Sequence, residues 1–199
     1  MNKVFAIFTF LLSSAIYATG AGVNNPPTTV SNVELNRYFG SWYEIVRIPN
    51  SFQDNTTKDR FGRCYDTIAE YAPIRKNKLS VKNTCIRYNE TEDATMIDVA
   101  EAIGKSVENS GNAKLKVNFT GFALLRWTGF GDANYWILGL GPTNNEGLYS
   151  WAFVGSPDRK FGWILSRTKK INNSQMKIIK NLIIEKGYSL GSFINSRKT

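Results

Sequence analysis

The stretch Tyr38-Phe-Gly-Ser-Trp-Tyr-Glu-Ile-Val-Arg-Ile-Pro49 decides the fold of this chain. Gly40 precedes a run rich in tryptophan, tyrosine, isoleucine and valine, which are enriched in β-strands. Glycine breaks regular structure before the run, and Pro49 ends it because proline cannot donate a backbone hydrogen bond to a sheet. The pattern predicts the first strand of an all-β fold.

Two later stretches have the same strand composition: Asn134-Tyr-Trp-Ile-Leu138, and Gly155-Ser-Pro-Asp-Arg-Lys-Phe-Gly-Trp-Ile-Leu-Ser-Arg-Thr168. In their order and spacing, the three stretches resemble the signatures of the lipocalins, and specifically of the bacterial outer-membrane lipocalin and apolipoprotein D group. The chain departs from that group at Asn134 and Gly139, where acidic residues are usual. The resemblance covers residues 35 to about 190.

This resemblance implies an all-β fold, an eight-stranded antiparallel up-and-down β-barrel with one ligand cavity and a C-terminal α-helix packed outside. A length of 199 residues is typical of one such barrel. A hydrophobic content of 42%, with 13% aromatic residues, is enough for a sizeable core. We therefore expect one lipocalin domain over residues 35–195.

The N-terminal residues have the pattern of a secretory signal peptide. A short basic start, an apolar run over residues 4–16 and small residues such as Ala18 and Gly20 predict a signal peptide over residues 1–20. Residues 21–34 are expected to form an extended leader. Related bacterial lipocalins often carry a lipidated cysteine here, but this chain has none before Cys64. A soluble periplasmic or secreted form is favoured over one associated with the outer membrane.

The family pattern assigns structural roles to Gly40, Trp42 and Arg167. A short helical turn at residues 36–39 is expected to close the floor of the barrel, and Trp42 to point into that floor. The resemblance implies that Arg167 lies across the ring of Trp42. Such a cation–π contact contributes roughly 0.5–2 kcal/mol.

The two cysteines are predicted to form one disulfide, because an exported chain meets an oxidising compartment. A hairpin turning at residues 73–78 brings Cys64 near Cys85, and many relatives have cysteine at both places. Strict alternation from Tyr71 and Leu79 puts Cys64 outside and Cys85 inside, a conflict that a β-bulge would remove. Two free thiols are the alternative.

Alternation along the strands predicts which side chains face the lumen of the barrel. The clearest case is the run 114–119, with Leu115, Val117 and Phe119 on one face. Glu44 shares its parity with Trp42 and is predicted to lie low in the lumen, where it either binds a ligand head group or, as we favour, pairs with an arginine. The other predicted ligand contacts are Tyr71, Val81, Asn83, Val117, Phe119, Tyr135 and Trp151.

Residues 122–130 form an unusually apolar connection between two predicted strands. One interpretation is an exposed flap that touches a membrane or a partner. The favoured one is a loop folded over the barrel.

A C-terminal helix is predicted after Arg167. Residues 172–174 are good N-cap residues, and Gly187 suits the position that follows a helix. Met176, Ile179, Leu182 and Ile183 recur at helical spacing and are expected to pack on the outside of the barrel.

The residue types in the chain exclude most kinds of catalytic site. The chain contains no histidine, which excludes Ser-His-Asp and Cys-His catalysis and histidine-rich zinc sites. Its carboxylates are scattered singly, so that no pair is set up for acid–base catalysis. We predict no enzymatic activity, no cofactor and no metal.

The net charge of +9 is strongly basic. No recognition helix or aromatic RNA-binding motif accompanies it, and export argues against a nucleic-acid partner. Peripheral contact with an anionic membrane, and capture of an anionic amphiphile, are the favoured explanations. Drift of the composition towards lysine and asparagine is the alternative.

The residues and the resemblance together predict a carrier or storage protein for a fatty acid or lysophospholipid. Two alternatives remain at this stage. One is a lipocalin-type enzyme, such as an isomerase or de-epoxidase, that uses Glu44 or an unpaired cysteine. The other is a protein that docks on membranes or partners through residues 122–130.

Overall fold

A computed structural model of the chain describes residues 25–54, 62–89, 93–119 and 132–198. The predicted signal peptide, the first four residues of the predicted leader and the 122–130 connection lie outside the described residues. Within the described ranges, the element order is a short helix, eight long strands and a C-terminal helix, with one helical turn after the first strand.

The strands form a closed antiparallel barrel. Their sheet order follows the chain from the second strand to the eighth, and the first strand pairs with both the eighth and the second. The prediction of an eight-stranded up-and-down barrel is confirmed. The strands are β1 (Gly40–Arg47), β2 (Cys64–Arg75), β3 (Lys78–Asn89), β4 (Ala94–Ser106), β5 (Lys114–Phe119), β6 (Ala133–Leu140), β7 (Trp151–Gly155) and β8 (Gly162–Ser166), and a two-residue strand β9 (Ile194–Asn195) adds to the edge of β1.

Three α-helices accompany the strands in the described residues, α1 (Leu35–Tyr38), α2 (Ser51–Asp54) and α3 (Asn173–Glu185), and a short 3-10 helix covers Leu190–Ser192. The side chain of Asn172 caps α3 by accepting a hydrogen bond from the backbone N–H of Gln175 at 2.8 Å. Gly187 follows the helix with a φ of 77°, a left-handed conformation that glycine adopts without strain. Among the described residues, no helix is long and apolar enough to cross a membrane.

Helix α3 packs on the outside of the barrel. Ile179 and Ile183 are buried against apolar side chains that point outward from β6, β7 and β8. This outer cluster is separate from the cluster inside the barrel, which includes Trp42, Val117 and Leu165. The predicted position of the C-terminal helix is confirmed.

Strand β7 is buried on both faces, and this corrects one prediction. Ala152 and Val154 belong to the cluster inside the barrel, whereas Trp151 and Phe153 belong to the outer cluster under α3. Trp151 therefore does not face the lumen, contrary to the prediction from alternation. Alternation identifies the inner face only when the other face is polar, and on β7 the helix makes both faces apolar.

The hairpin between β2 and β3 is longer than predicted. Pairing continues to Arg75 and resumes at Lys78, so the turn is Lys76-Asn77 rather than the predicted span 73–78. Asn77 has a φ of 61°, which asparagine tolerates better than most residues. Pro73 is accommodated within the strand beside an irregularity in the pairing.

The guanidinium group of Arg167 closes the floor of the barrel. It lies over the ring of Trp42, with Cζ 3.8 Å from the ring centroid. Its Nη2 donates to the carbonyls of Arg37, Tyr38 and Phe39 at 2.8–3.1 Å, which lie at the C-terminal end of helix α1. The fully buried Trp42 donates from Nε1 to the same Tyr38 carbonyl at 2.8 Å.

We expect Arg167→Met to lower the free energy of unfolding by about 3 kcal/mol, because it removes several hydrogen bonds to backbone carbonyls together with the cation–π contact. Urea unfolding measures the change. Lys169→Met is the matched control, since Lys169 is exposed and its ammonium lies 5.9 Å from the ring of Tyr43. Equal stability of the two variants would contradict the role assigned to Arg167.

Candidate functional site

The barrel encloses a cavity of about 640 Å³. It extends from the floor to the opposite end, where Ser156 and Asp158 of the β7–β8 connection line it. Much of its wall is apolar, with Ala69, Val154 and Leu165 among the lining side chains. Of the predicted ligand contacts, the structure places these along the cavity: Glu44, Tyr71, Val81, Asn83, Val117, Phe119 and Tyr135.

Three tyrosines form a hydroxyl cluster at the deep end of the cavity. The hydroxyl oxygen of Tyr135 lies 2.6 Å from that of Tyr38 and 2.8 Å from that of Tyr71. Tyr71 lies at the floor because it pairs with Gly40, the first residue of β1. Burial raises the pKa of all three phenols above the ordinary tyrosine value, so they stay protonated at neutral pH.

The hydroxyl cluster has one proton more than its own contacts use. Three hydroxyls carry three protons, and the two oxygen–oxygen contacts use two of them. The described residues make no further hydrogen bond to these hydroxyls. A buried donor without an acceptor costs roughly 1–3 kcal/mol, so the cluster favours an acceptor from outside the protein chain.

A second polar group is centred on Arg47, which is fully buried. Its guanidinium donates to the Glu44 carboxylate at 2.8 Å, to Asp54 at 2.9 Å and to the Cys64 carbonyl at 2.9 Å. Gln53 donates to the other oxygen of Glu44 at 2.8 Å. Burial lowers the pKa of Arg47, but the hydrogen bonds and charges of the two carboxylates outweigh it and leave that pKa raised. Glu44 therefore lines the cavity as one half of an ion pair.

Arg87 lies in the cavity wall nearer the open end of the barrel. Its Nε donates to the Asp98 carboxylate at 2.7 Å, and its Nη atoms donate to the carbonyls of Gly62 and Phe52 at 3.0 and 2.7 Å. The side chain is only 2% exposed. The charges of Glu44, Arg87 and Asp98 are thus neutralised within the wall, and the arrangement suits the burial of a largely apolar molecule.

Comparison with known proteins agrees with this architecture. A family model described as a lipocalin-like domain matches residues 33–198. This chain belongs to the lipocalin family. Lipocalins bind small hydrophobic molecules.

Individual relatives of this lipocalin support the assignment. It is 29% identical to the outer membrane lipoprotein Blc of Vibrio cholerae over 93% of this chain and 95% of that protein. It is 28% identical to apolipoprotein D of Macaca fascicularis over 79% of this chain and 72% of that protein. Lobster apocrustacyanin A1, at 13% identity, shares the fold with a TM-score of 0.53 over 88% of this chain and 91% of the solved one.

The cysteines of this lipocalin form a disulfide between Cys64 and Cys85, as predicted. The conflict with strict alternation disappears because β2 carries an extra residue between Tyr65 and Ile68. Asp66 in this β-bulge has a φ of 51°. The bulge turns Cys64 inward, and both cysteines are buried in the cavity wall.

Sequence reasoning missed Arg47 because a second bulge changes the parity of β1. Glu44 pairs with Leu165 and Val46 with Ile164, so Ile45 is the extra residue. Strict alternation from Glu44 would send Arg47 outward, whereas the bulge turns it inward. Arg87 was also missed, although it follows Cys85 at an even spacing on a regular part of β3. That spacing alone could have identified Arg87 as inward-facing.

We expect the purified lipocalin to show no reactive thiol in denaturant without reductant, because both cysteines are paired. Replacing both by serine should lower the free energy of unfolding by about 3 kcal/mol, since the bridge closes a loop with a sequence separation of 21. Thiol titration and urea unfolding measure the two quantities. Two titratable thiols in the untreated protein would contradict the assignment.

The free energy of unfolding should fall at alkaline pH, because the folded protein keeps the tyrosines of the hydroxyl cluster protonated. The unfolded tyrosines ionise near about pH 10, while the folded Tyr38, Tyr71 and Tyr135 keep their protons to higher pH. Their contribution is therefore complete below that pH and is lost progressively above it, because the unfolded chain then binds fewer protons than the folded one. Urea unfolding between about pH 8 and 11 should give a shallower fall for Tyr71→Phe/Tyr135→Phe. Identical slopes for the variant and the wild type would contradict this.

Proposed function

We propose that this lipocalin carries or stores a fatty acid or lysophospholipid, with the acyl chain buried in the barrel. The observation that carries the proposal is the cavity of about 640 Å³, with apolar walls and neutralised charges. An acyl chain of about 15 methylenes gains roughly 12 kcal/mol on burial, at ~0.8 kcal/mol for each. Association costs about 4–15 kcal/mol, so useful affinity requires a preformed cavity such as this one.

The polar head of such a ligand would stay at the open end of the barrel. The described charged side chains that line the cavity there already have partners: Arg87 with Asp98, Asp132 with Asn118, and Asp158 with Ser156. Each of these charged side chains would lose its present partner if it formed a hydrogen bond with the ligand instead. The net charge of +9 favours the approach of anionic amphiphiles and peripheral contact with an anionic membrane.

An exported location is part of the proposal. The relatives include proteins named as outer membrane lipoproteins, and the pattern of residues 1–20 is that of a signal peptide. Action in the cell envelope or the extracellular space follows from the two together. The disulfide agrees with such a compartment, since disulfides persist where the surroundings are oxidising.

Binding is favoured over catalysis by the state of the reactive groups. An enzymatic mechanism would have to use Glu44 or a free cysteine thiol. Glu44 is held by Arg47 and Gln53, and Cys64 is bonded to Cys85. In these contacts the carboxylate and the disulfide stabilise the wall of the cavity and are not available for reaction with a ligand.

A fluorescent fatty acid provides the test. We expect the wild type to bind it, and unlabelled fatty acid or lysophospholipid to displace it. Phe119→Arg should weaken binding by about tenfold or more, because Phe119 lines the cavity and a charge there must be desolvated when an acyl chain enters. A wild type that takes up no fatty acid or lysophospholipid would refute the proposed function.

Ile103→Arg is the matched control for Phe119→Arg. Ile103 lies on the neighbouring strand β4, is 41% exposed and does not line the cavity. The substitution introduces the same charge outside the cavity, so binding should stay within about twofold of the wild type. Lipid extraction from the purified protein and mass spectrometry of the extract identify any ligand that is carried through purification.

A further inference from the structure

We propose that the ligand carries a neutral hydrogen-bond acceptor, a hydroxyl or carbonyl oxygen, on the end that enters the barrel first. The hydroxyl cluster of Tyr38, Tyr71 and Tyr135 would donate its unused proton to this oxygen. The inference rests on the proposed function, since it requires a ligand in the cavity. It narrows the ligand class from simple acyl chains to chains or rings that are oxygenated at the far end.

The position of the cluster supports the proposal. Tyr71 and Tyr135 both line the cavity, and Tyr71 is only 4% exposed. Beyond them the barrel is closed by Tyr38, Trp42 and the Arg167 guanidinium. A slender ligand that fills the cavity must therefore bring its leading end against these hydroxyls. A terminal methyl group there would leave the third hydroxyl proton without an acceptor.

The surroundings of the cluster favour a neutral oxygen over a carboxylate. Burial is the main reason that the pKa of Tyr71 is raised, and the same burial disfavours an anionic ligand group, which would lose its hydration there. The charges of Glu44 and Arg167 act on the pKa of Tyr71 in opposite directions, and Glu44 is already paired with Arg47. The nearest guanidinium, that of Arg167, is directed away to the backbone carbonyls of α1 and to that of Ser41.

Matched ligands test the proposal on the intact protein. Palmitic acid and its ω-hydroxy derivative differ by one oxygen at the far end of the chain, and the lauric and myristic pairs vary the depth that the oxygen reaches. Displacement of a fluorescent fatty acid gives each affinity. For at least one chain length, we expect the ω-hydroxy acid to bind the wild type about three- to tenfold more tightly than the plain acid, the value of one net hydrogen bond.

The variant Tyr71→Phe/Tyr135→Phe removes both hydroxyls that line the cavity and should abolish the preference or reverse it. A single substitution is not sufficient, because one hydroxyl that lines the cavity would remain and could still present a proton, whereas Tyr38 is fully buried and does not line the cavity. Tyr43→Phe is the control. Tyr43 lies on β1, where it pairs with Ile68 of β2 and Ser166 of β8, and it does not line the cavity, so the preference should persist.

Three outcomes of this experiment would count against the inference or the proposed function, and they can be told apart. Equal affinities of the wild type for the two acids at every chain length would overturn the inference while leaving the proposed function intact. A preference that survives in the double variant would also overturn it, provided that circular dichroism shows a folded barrel. Failure of the wild type to bind any of the acids would count against the proposed function itself.

Discussion

The guanidinium group of Arg167 is the contact on which the rest of the barrel depends. It satisfies carbonyls at the end of α1 and at the start of β1 while its flat face covers Trp42. Arginine suits this place because its planar fork can donate in several directions at once and also stack on an aromatic ring. The contact fixes α1 across the floor, and α1 carries Tyr38, whose hydroxyl belongs to the cluster at the bottom of the cavity. The floor and the deep end of the site are therefore one structure.

Two bulges determine the chemistry of the wall. The extra residue in β1 brings Arg47 inward to meet Glu44, and the extra residue in β2 brings Cys64 inward to meet Cys85. The two features are joined, because Arg47 donates to the carbonyl of Cys64. Removing one member of a buried ion pair usually costs several kcal/mol. The ion pair and the disulfide thus brace the same part of the barrel, beyond the point where the backbone pairing of β1 with β2 ends at Tyr43 and Ile68.

The fold and part of the site followed from the sequence for clear physical reasons. The three family stretches and the alternation of β5 predicted the barrel and the inward Val117 and Phe119, because β5 has one apolar and one polar face. The disulfide followed from a hairpin with a short turn. Prediction failed where alternation carries no information. A bulge reverses parity without a distinctive residue, which concealed Arg47, and β7 is apolar on both faces, which misplaced Trp151. The oxygen–oxygen distances between the tyrosines depend on three separate elements, and no local pattern encodes them.

The burial of β7 on both faces also has a mechanical consequence. Val154 lines the cavity, while its neighbour Phe153 contacts the aromatic rings of Tyr188 and Phe193 on the outside. The two side chains share one stretch of backbone, and close-packed interiors transmit displacement. A ligand large enough to displace Val154 would therefore also shift the aromatic side chains that pack against Phe153 on the outside. Intrinsic fluorescence from this outer layer, which also contains Trp151, could then report occupancy of a cavity that it does not touch.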